Sequence, residues 1–181
     1  MNIVSLHGPK FDTKKMTLAA MLTALQVILS KISVGDPAVL KVGLDFIGVA
    51  LLGYFLGPWI GMCAMVISDL VANLLLNSGV MFFPGFTFSA GVAGIIAGML
   101  LYNQKVSWQR IFIYVFIQIG VTKAFFTTLW LYMMGMSSGN SGRTFMALLS
   151  LRLPTEVISW PIEALILLGL FKAIQRIGID K

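Results

Sequence analysis

Few side chains in this chain could do chemistry, and the informative ones fall inside apolar runs. Asp69 lies in a run from 59 to 76, and Lys123 lies at a comparable depth in a run from 111 to 134. Ionisable groups in hydrocarbon are costly, so each is expected to pair or to bind something. Asp69 leads Asn73 and Asn77 at four-residue spacing, which puts the three on one helical face. The spacing predicts an intramembrane polar pair of Asp69 with Lys123, direct or through Gln118 or Thr122, serving structure or a ligand. Arg152, Glu156, Ser159 and Glu163 form another stripe, at offsets of four, seven and eleven. Arg152 either pairs with Glu156 or uses its forked guanidinium to receive an anionic group. Asp45, one turn after Lys41, either pairs with that lysine or accepts two parallel N–H bonds from an amino-heterocycle.

Aromatic residues supply a second kind of candidate. Phe82, Phe83, Phe86 and Phe88 crowd Pro84 and Gly85, with Thr87 and Ser89 among them. Pro suits a first helical turn, where its missing N–H is no loss. Ala90, Gly94 and Gly98 then place a small residue every four positions, which allows close helix approach. This mouth either receives a flat ligand or forms an interfacial belt. Trp130 lies deep enough to stack on such a ligand, whereas Trp59 and Trp108 sit where belt residues are expected. Catalysis is not indicated. The one histidine is His7 in the N-terminal tail, and no nucleophile elbow, zinc-protease pair or phosphate-binding loop occurs. No metal or cofactor is expected, and any ATP used must be hydrolysed by another chain.

The elements that must hold these residues are membrane helices. The chain has 181 residues, 58% hydrophobic and 11% charged, with mean hydropathy +0.92. Soluble domains carry about 25% charge, so this is an all-α integral membrane protein, read as one domain over 1–181. Spans are expected at 16–33, 42–56, 59–76, 84–102 and 111–134. A short apolar helix at 144–151 leads through Arg152 and Pro154 into a sixth span ending near 172. Residues 1–15 are expected as a cytoplasmic segment, and the first run lacks a small-residue cleavage site. With the N-terminus inside, eight cations face the cytoplasm (Lys10, Lys14, Lys15, Lys105, Arg110, Lys172, Arg176, Lys181). Four lie outside (Lys31, Lys41, Arg143, Arg152), which favours six helices with both termini inside. The +6 charge therefore marks span ends, not nucleic acid. Cys63, within an apolar run, is expected to be a small buried residue. Polar groups gather in the outer half, as suits one outward-facing site better than a pore.

These residues resemble the S components of energy-coupling factor (ECF) vitamin transporters, and among them the folate family. The most specific segment is FFPGFTFSAGVAGIIAGMLLY, from Phe82 to Tyr102. Phe55-Leu-Gly-Pro-Trp-Ile-Gly61, Ser68-Asp69-Leu70, Thr128-Leu-Trp130, Arg152 and Pro161-Ile-Glu163 follow the same pattern. Ala20-x-x-x-Ala24 is similar to the first-helix motif by which S components dock.

The resemblance implies a vitamin site near the extracellular surface of a bacterial plasma membrane. It also implies a transmembrane coupling subunit and two ATPases as partners. Ala20 and Ala24 carry over as docking residues, and Phe83, Pro84, Gly85, Phe86, Thr87, Trp130 and Arg152 as site residues. A pterin ring suits the aromatic mouth, and a glutamate tail suits Lys41, Arg143 or Arg152. The chain departs from the folate pattern at Thr155, where Lys is usual, at Lys41, where Arg is usual, and at Asp45 and Gly48, where Gly and Pro are usual. Those departures admit a less anionic vitamin, pyridoxine-like or hydroxymethylpyrimidine-like. Rival classes are a membrane structural or assembly protein and a stand-alone carrier.

Overall fold

The computed structural model describes residues 12–34, 42–76, 82–137 and 145–178. The elements are α1 (Thr13–Lys31), α2 (Asp45–Leu70), α3 (Pro84–Leu101), α4 (Trp108–Gln118), α5 (Thr128–Ser137) and α6 (Phe145–Ile177). π-helical turns extend α2 over Val71–Leu75 and join α4 to α5 over Ile119–Thr127. A two-residue antiparallel ladder, β1 (Ser33–Val34) with β2 (Val42–Gly43), closes the connection between α1 and α2. Four helical stretches are long and apolar enough to cross a membrane: Asp45–Leu75, Pro84–Leu101, Trp108–Gly135 and Phe145–Ile177. The chain is therefore a nearly all-helical membrane protein.

The Asp45–Leu75 stretch is not straight. Gly57 has φ 74° and ψ −174°, a backbone conformation open to glycine, and Pro58 follows it. A Cβ on Gly61 would stand 3.7 Å from the Leu52 carbonyl oxygen and 3.9 Å from Gly53 Cα. Residues eight or nine apart in one straight helix are about 12–13 Å apart along its axis. The chain therefore reverses at Gly57 into two antiparallel arms, 45–56 and 58–75.

Small residues bring α3 against this reversal. A Cβ on Gly94 would lie 2.6 Å from the Gly61 carbonyl oxygen, and one on Gly98 would run into the backbone of Gly57 and Pro58. In lipid such contacts hold helices by close packing, because hydrocarbon supplies no hydrophobic drive between them. Around the turn lies the apolar core, with Leu52, Leu56, Ala97, Leu167 and Phe171 essentially sealed. Val157, Ile158, Ile162, Leu165 and Ile166 are exposed along α6, a face suited to lipid.

At the opposite end the elements are tied by polar bonds. Lys31 Nζ donates to the carbonyl oxygens of Ala72 and Leu76 at 2.7 and 2.8 Å. It caps carbonyls at a helix end, as a cation there should. Leu44 N donates to the Ile32 carbonyl oxygen at 3.2 Å. This end thus gathers the close of α1, the start of α2 and the close of its second arm.

Several boundaries differ from expectation. α1 starts at Thr13, because the Asp12 carboxylate accepts the Thr13 N–H at 2.8 Å and caps it. The separate helix expected at 144–151 is continuous with the last span, through Pro154 and Pro161, to Ile177. Each proline removes one backbone bond, a loss that helices in a bundle tolerate. Cys63 is exposed, not buried, because it lies on the face of the second arm that borders a groove along α1.

Candidate functional site

Pro84 opens α3 as its first residue, after Phe83 in extended conformation. This start sets Phe83 against Trp130 of α5, while Phe82 and Phe88 stay exposed. Phe83 and Trp130 have ring centroids 5.7 Å apart at 49°, and Phe126 stacks on Trp130 at 6.0 Å and 14°. Phe83 meets Phe86 edge-on at 6.2 Å, and Phe88 meets Phe126 at 5.7 Å. Gly85 is required beneath them: a Cβ there would stand 2.5 Å from Phe83 Cε1 and from Trp130 Cδ2. Trp130 Nε1 donates to Ser89 Oγ at 2.7 Å, and Ser89 Oγ donates to the Gly85 carbonyl oxygen at 3.1 Å. The indole N–H is thereby used within the protein, so the tryptophan offers its ring face.

Beside this aromatic group lies Asp69. Thr87 Oγ1 donates to Asp69 Oδ2 at 2.7 Å, and Asn73 Nδ2 donates to Asp69 Oδ1 at 2.9 Å. The four-residue spacing of Asp69 and Asn73 therefore makes a real bond. The expected pairing of Asp69 with Lys123 does not form. Lys123 is ion-paired with Glu163 of α6. The reason lies in the π-helical turn, in which residues five apart share a face. It points Lys123 toward α6, away from Asp69. Its widened register is marked by Thr127 Oγ1, which donates to the Thr122 carbonyl oxygen five residues back at 2.9 Å.

The Lys123–Glu163 pair is part of a larger ionic group. The charges of Asp45 and Glu156 both act on Lys123, and Asp45 acts on Glu156 and Glu163. Asp45 thus belongs electrostatically with α6. Arg152 is 7% exposed, and its Nε and Nη1 have no hydrogen-bond partner among the described residues. The pairing of Arg152 with Glu156 that the spacing left open is not made among the described residues. Thr155 is half-buried, three residues along α6 from Arg152. Among the described residues, Thr128 Oγ1, Gln118 Oε1 and Tyr114 Oη are also buried without hydrogen-bond partners. Such atoms are costly unless water or a ligand reaches them.

Lys41 and Arg143, both expected in the site, lie outside the described residues, as does Asn77. Ala20 and Ala24 are placed elsewhere. They line an apolar groove of about 550 Å3 between α1 and the second arm, with Thr23, Cys63, Ala64 and Ile67. Both alanines are exposed there. Phe126 and Tyr114 were not singled out from the sequence, and Ser89 was named within the mouth without a role. Phe126 had a usable signal, standing four residues before Trp130 and so on its helical face. Tyr114 had none, since its importance lies in burial, and the part of Ser89 lies in a cross-helix bond.

Comparison with known proteins bears on what such an arrangement is for. Residues 14–171 match the family model described as "ECF transporter, substrate-specific component". A curated relative, the folate transporter FolT of Clostridium novyi (strain NT), is 29% identical over 164 residues, covering 91% of each chain. The folate transporter FolT of Leuconostoc mesenteroides subsp. mesenteroides is 31% identical over 156 residues, covering 86% of this chain and 83% of the relative. A crystal structure of FolT bound with folic acid is similar at a TM-score of 0.75 and 30% identity, covering 87% of this chain and 91% of that one.

Proposed function

The chain belongs to the substrate-specific components of ECF transporters, and on that premise we propose that the vitamin it captures is folate. Members of this family are transporter components, not enzymes. The observation that carries the folate reading is Arg152, whose buried Nε and Nη1 lack partners among the described residues. A guanidinium fork with free donors suits a carboxylate. Flat rings around Trp130 suit a heterocycle. Folate carries both, a pterin and an anionic tail. A pyridoxine-like or hydroxymethylpyrimidine-like vitamin offers Arg152 no anion. The FolT relatives and the folic-acid-bound FolT structure support the same choice. The site residues on this reading are Phe83, Pro84, Gly85, Phe86, Thr87, Trp130, Arg152 and Thr155, together with Lys41, Asp45 and Arg143.

The chain works as one domain with six spans, once the two arms of α2 are counted separately. Both termini face the cytoplasm of a bacterial cell. Lys14, Lys15, Lys105, Arg110, Lys172 and Arg176 belong to the end away from the mouth, as the positive-inside rule requires of a cytoplasmic face. A transmembrane coupling subunit docks in the groove along Ala20 and Ala24, and two ATPases bound to that subunit supply the energy. The exposed, small-residue lining of the groove supports this.

Two experiments test the reading. Mass spectrometry of the small molecule that copurifies with the chain is expected to find a folate; pyridoxine or a pyrimidine in its place would overturn the choice of vitamin. Ala20→Trp is expected to abolish capture of the coupling subunit while folate affinity stays within about twofold, since the groove lies away from the mouth. Undiminished capture would move the docking face elsewhere.

A further inference from the structure

Asp69 lies beside the mouth, bonded to Thr87. Its two oxygens accept from Asn73 Nδ2 and from Thr87 Oγ1. An ionised carboxylate only accepts, so the bond to Thr87 must use the hydroxyl's one proton. What remains on Thr87 Oγ1 is lone-pair capacity. The carboxylate is held to this task by Asn73, one turn along its own helix. The neighbouring Trp130 Nε1 is committed to Ser89. Thr87 Oγ1 therefore presents an acceptor, and Trp130 a ring face.

We propose that Asp69 is a positioning residue that fixes the polarity of Thr87, so that this side of the mouth selects a flat heterocycle presenting N–H donors. This rests on the folate-capture reading above and deepens it by naming which edge of the ring is read. A ligand with a ring acceptor at that place meets lone pair against lone pair. A ligand with an amino group or ring N–H completes the bond. Recognition is thus divided: Arg152 takes the anion, and the Asp69–Thr87 unit takes the donor edge of the ring.

The test uses the full chain purified in detergent and two probes. One is folic acid. The other is an analogue in which the pterin amino group and the neighbouring ring N–H are replaced by hydrogen and methyl. The parent chain is expected to prefer folic acid by about ten- to hundredfold, as for a buried acceptor left unmatched. Thr87→Val and Asp69→Ala are expected to shrink that preference to about threefold or less, whereas Thr87→Ser keeps it. A role confined to packing would weaken both probes together and leave the ratio untouched, which would overturn the proposal. Retention of the full preference in Thr87→Val would overturn it too, and that variant decides the matter if Asp69→Ala does not fold. If the parent chain failed to bind folic acid at all, the folate reading would fall, and this inference with it. Folic acid binding with an unchanged ratio in the variants would remove the inference alone.

Discussion

Replacing Lys123 by methionine removes the cation from a buried ion pair and leaves its carboxylate behind. Glu163 has 7% of its side chain exposed, against 23% for Lys123. The better-buried partner is therefore the one stranded by the substitution, and Asp45 and Glu156 add to the negative charge around it. Five groups in this region, Asp45, Glu156, Glu163, Lys123 and Arg152, sum formally to three negative and two positive charges. Losing Lys123 leaves three against one. Breaking a buried pair from one side costs about 3–5 kcal/mol. For a chain of this length each kcal/mol moves a melting temperature by roughly 2–4 °C, so a fall of about 6–20 °C is expected. Glu163→Leu should cost less than Lys123→Met, because the lysine it strands is more exposed and keeps Asp45 and Glu156 nearby. The double variant Lys123→Met/Glu163→Leu should recover most of the loss, since a packed apolar pair often equals a buried ionic one. Thermal unfolding in detergent, followed by the fraction remaining monodisperse, measures all three. Single variants that melt with the parent, or a double variant equal to the sum of the singles, would refute the argument that the pair is a buried, coupled unit.

Two further substitutions probe the packing and the anion site. Gly98→Ala would drive its Cβ into the backbone of Gly57 and Pro58, which cannot swing aside as a side chain can; a loss of about 1–3 kcal/mol or more is expected by the same melting assay. Arg152→Met removes two orphan donors. It should weaken folate about ten- to hundredfold in a binding titration and leave a tail-less pterin unaffected.

The sequence carried the helices plainly, because runs of apolar residues near twenty long leave little choice of element. Gly57-Pro58 announced the reversal, and the spacing of Gly94 and Gly98 announced the close contact that faces it. The mouth was legible for a similar reason, since Pro84 and Gly85 are demanded by a helix start and by the Trp130 ring above it. What could not be read was which polar groups meet. Asp69 and Lys123 lie at similar depth, and depth alone makes them partners. The π-helical turn at Ile119–Thr127 rotates Lys123 to Glu163 instead. A change of one residue per turn leaves no mark in a row of apolar and small residues. Arg152 shows the complementary limit, because a four-residue spacing to Glu156 permits a pair without requiring one.

On the proposed reading, this S component captures folate through an aromatic mouth and an anion-binding arginine. Calorimetric titration of the purified chain with folic acid, repeated in the presence of excess pyridoxine, tests it most directly. Saturable one-to-one binding that pyridoxine does not displace is the expected result. No heat of folate binding in a chain that binds pyridoxine would contradict the account.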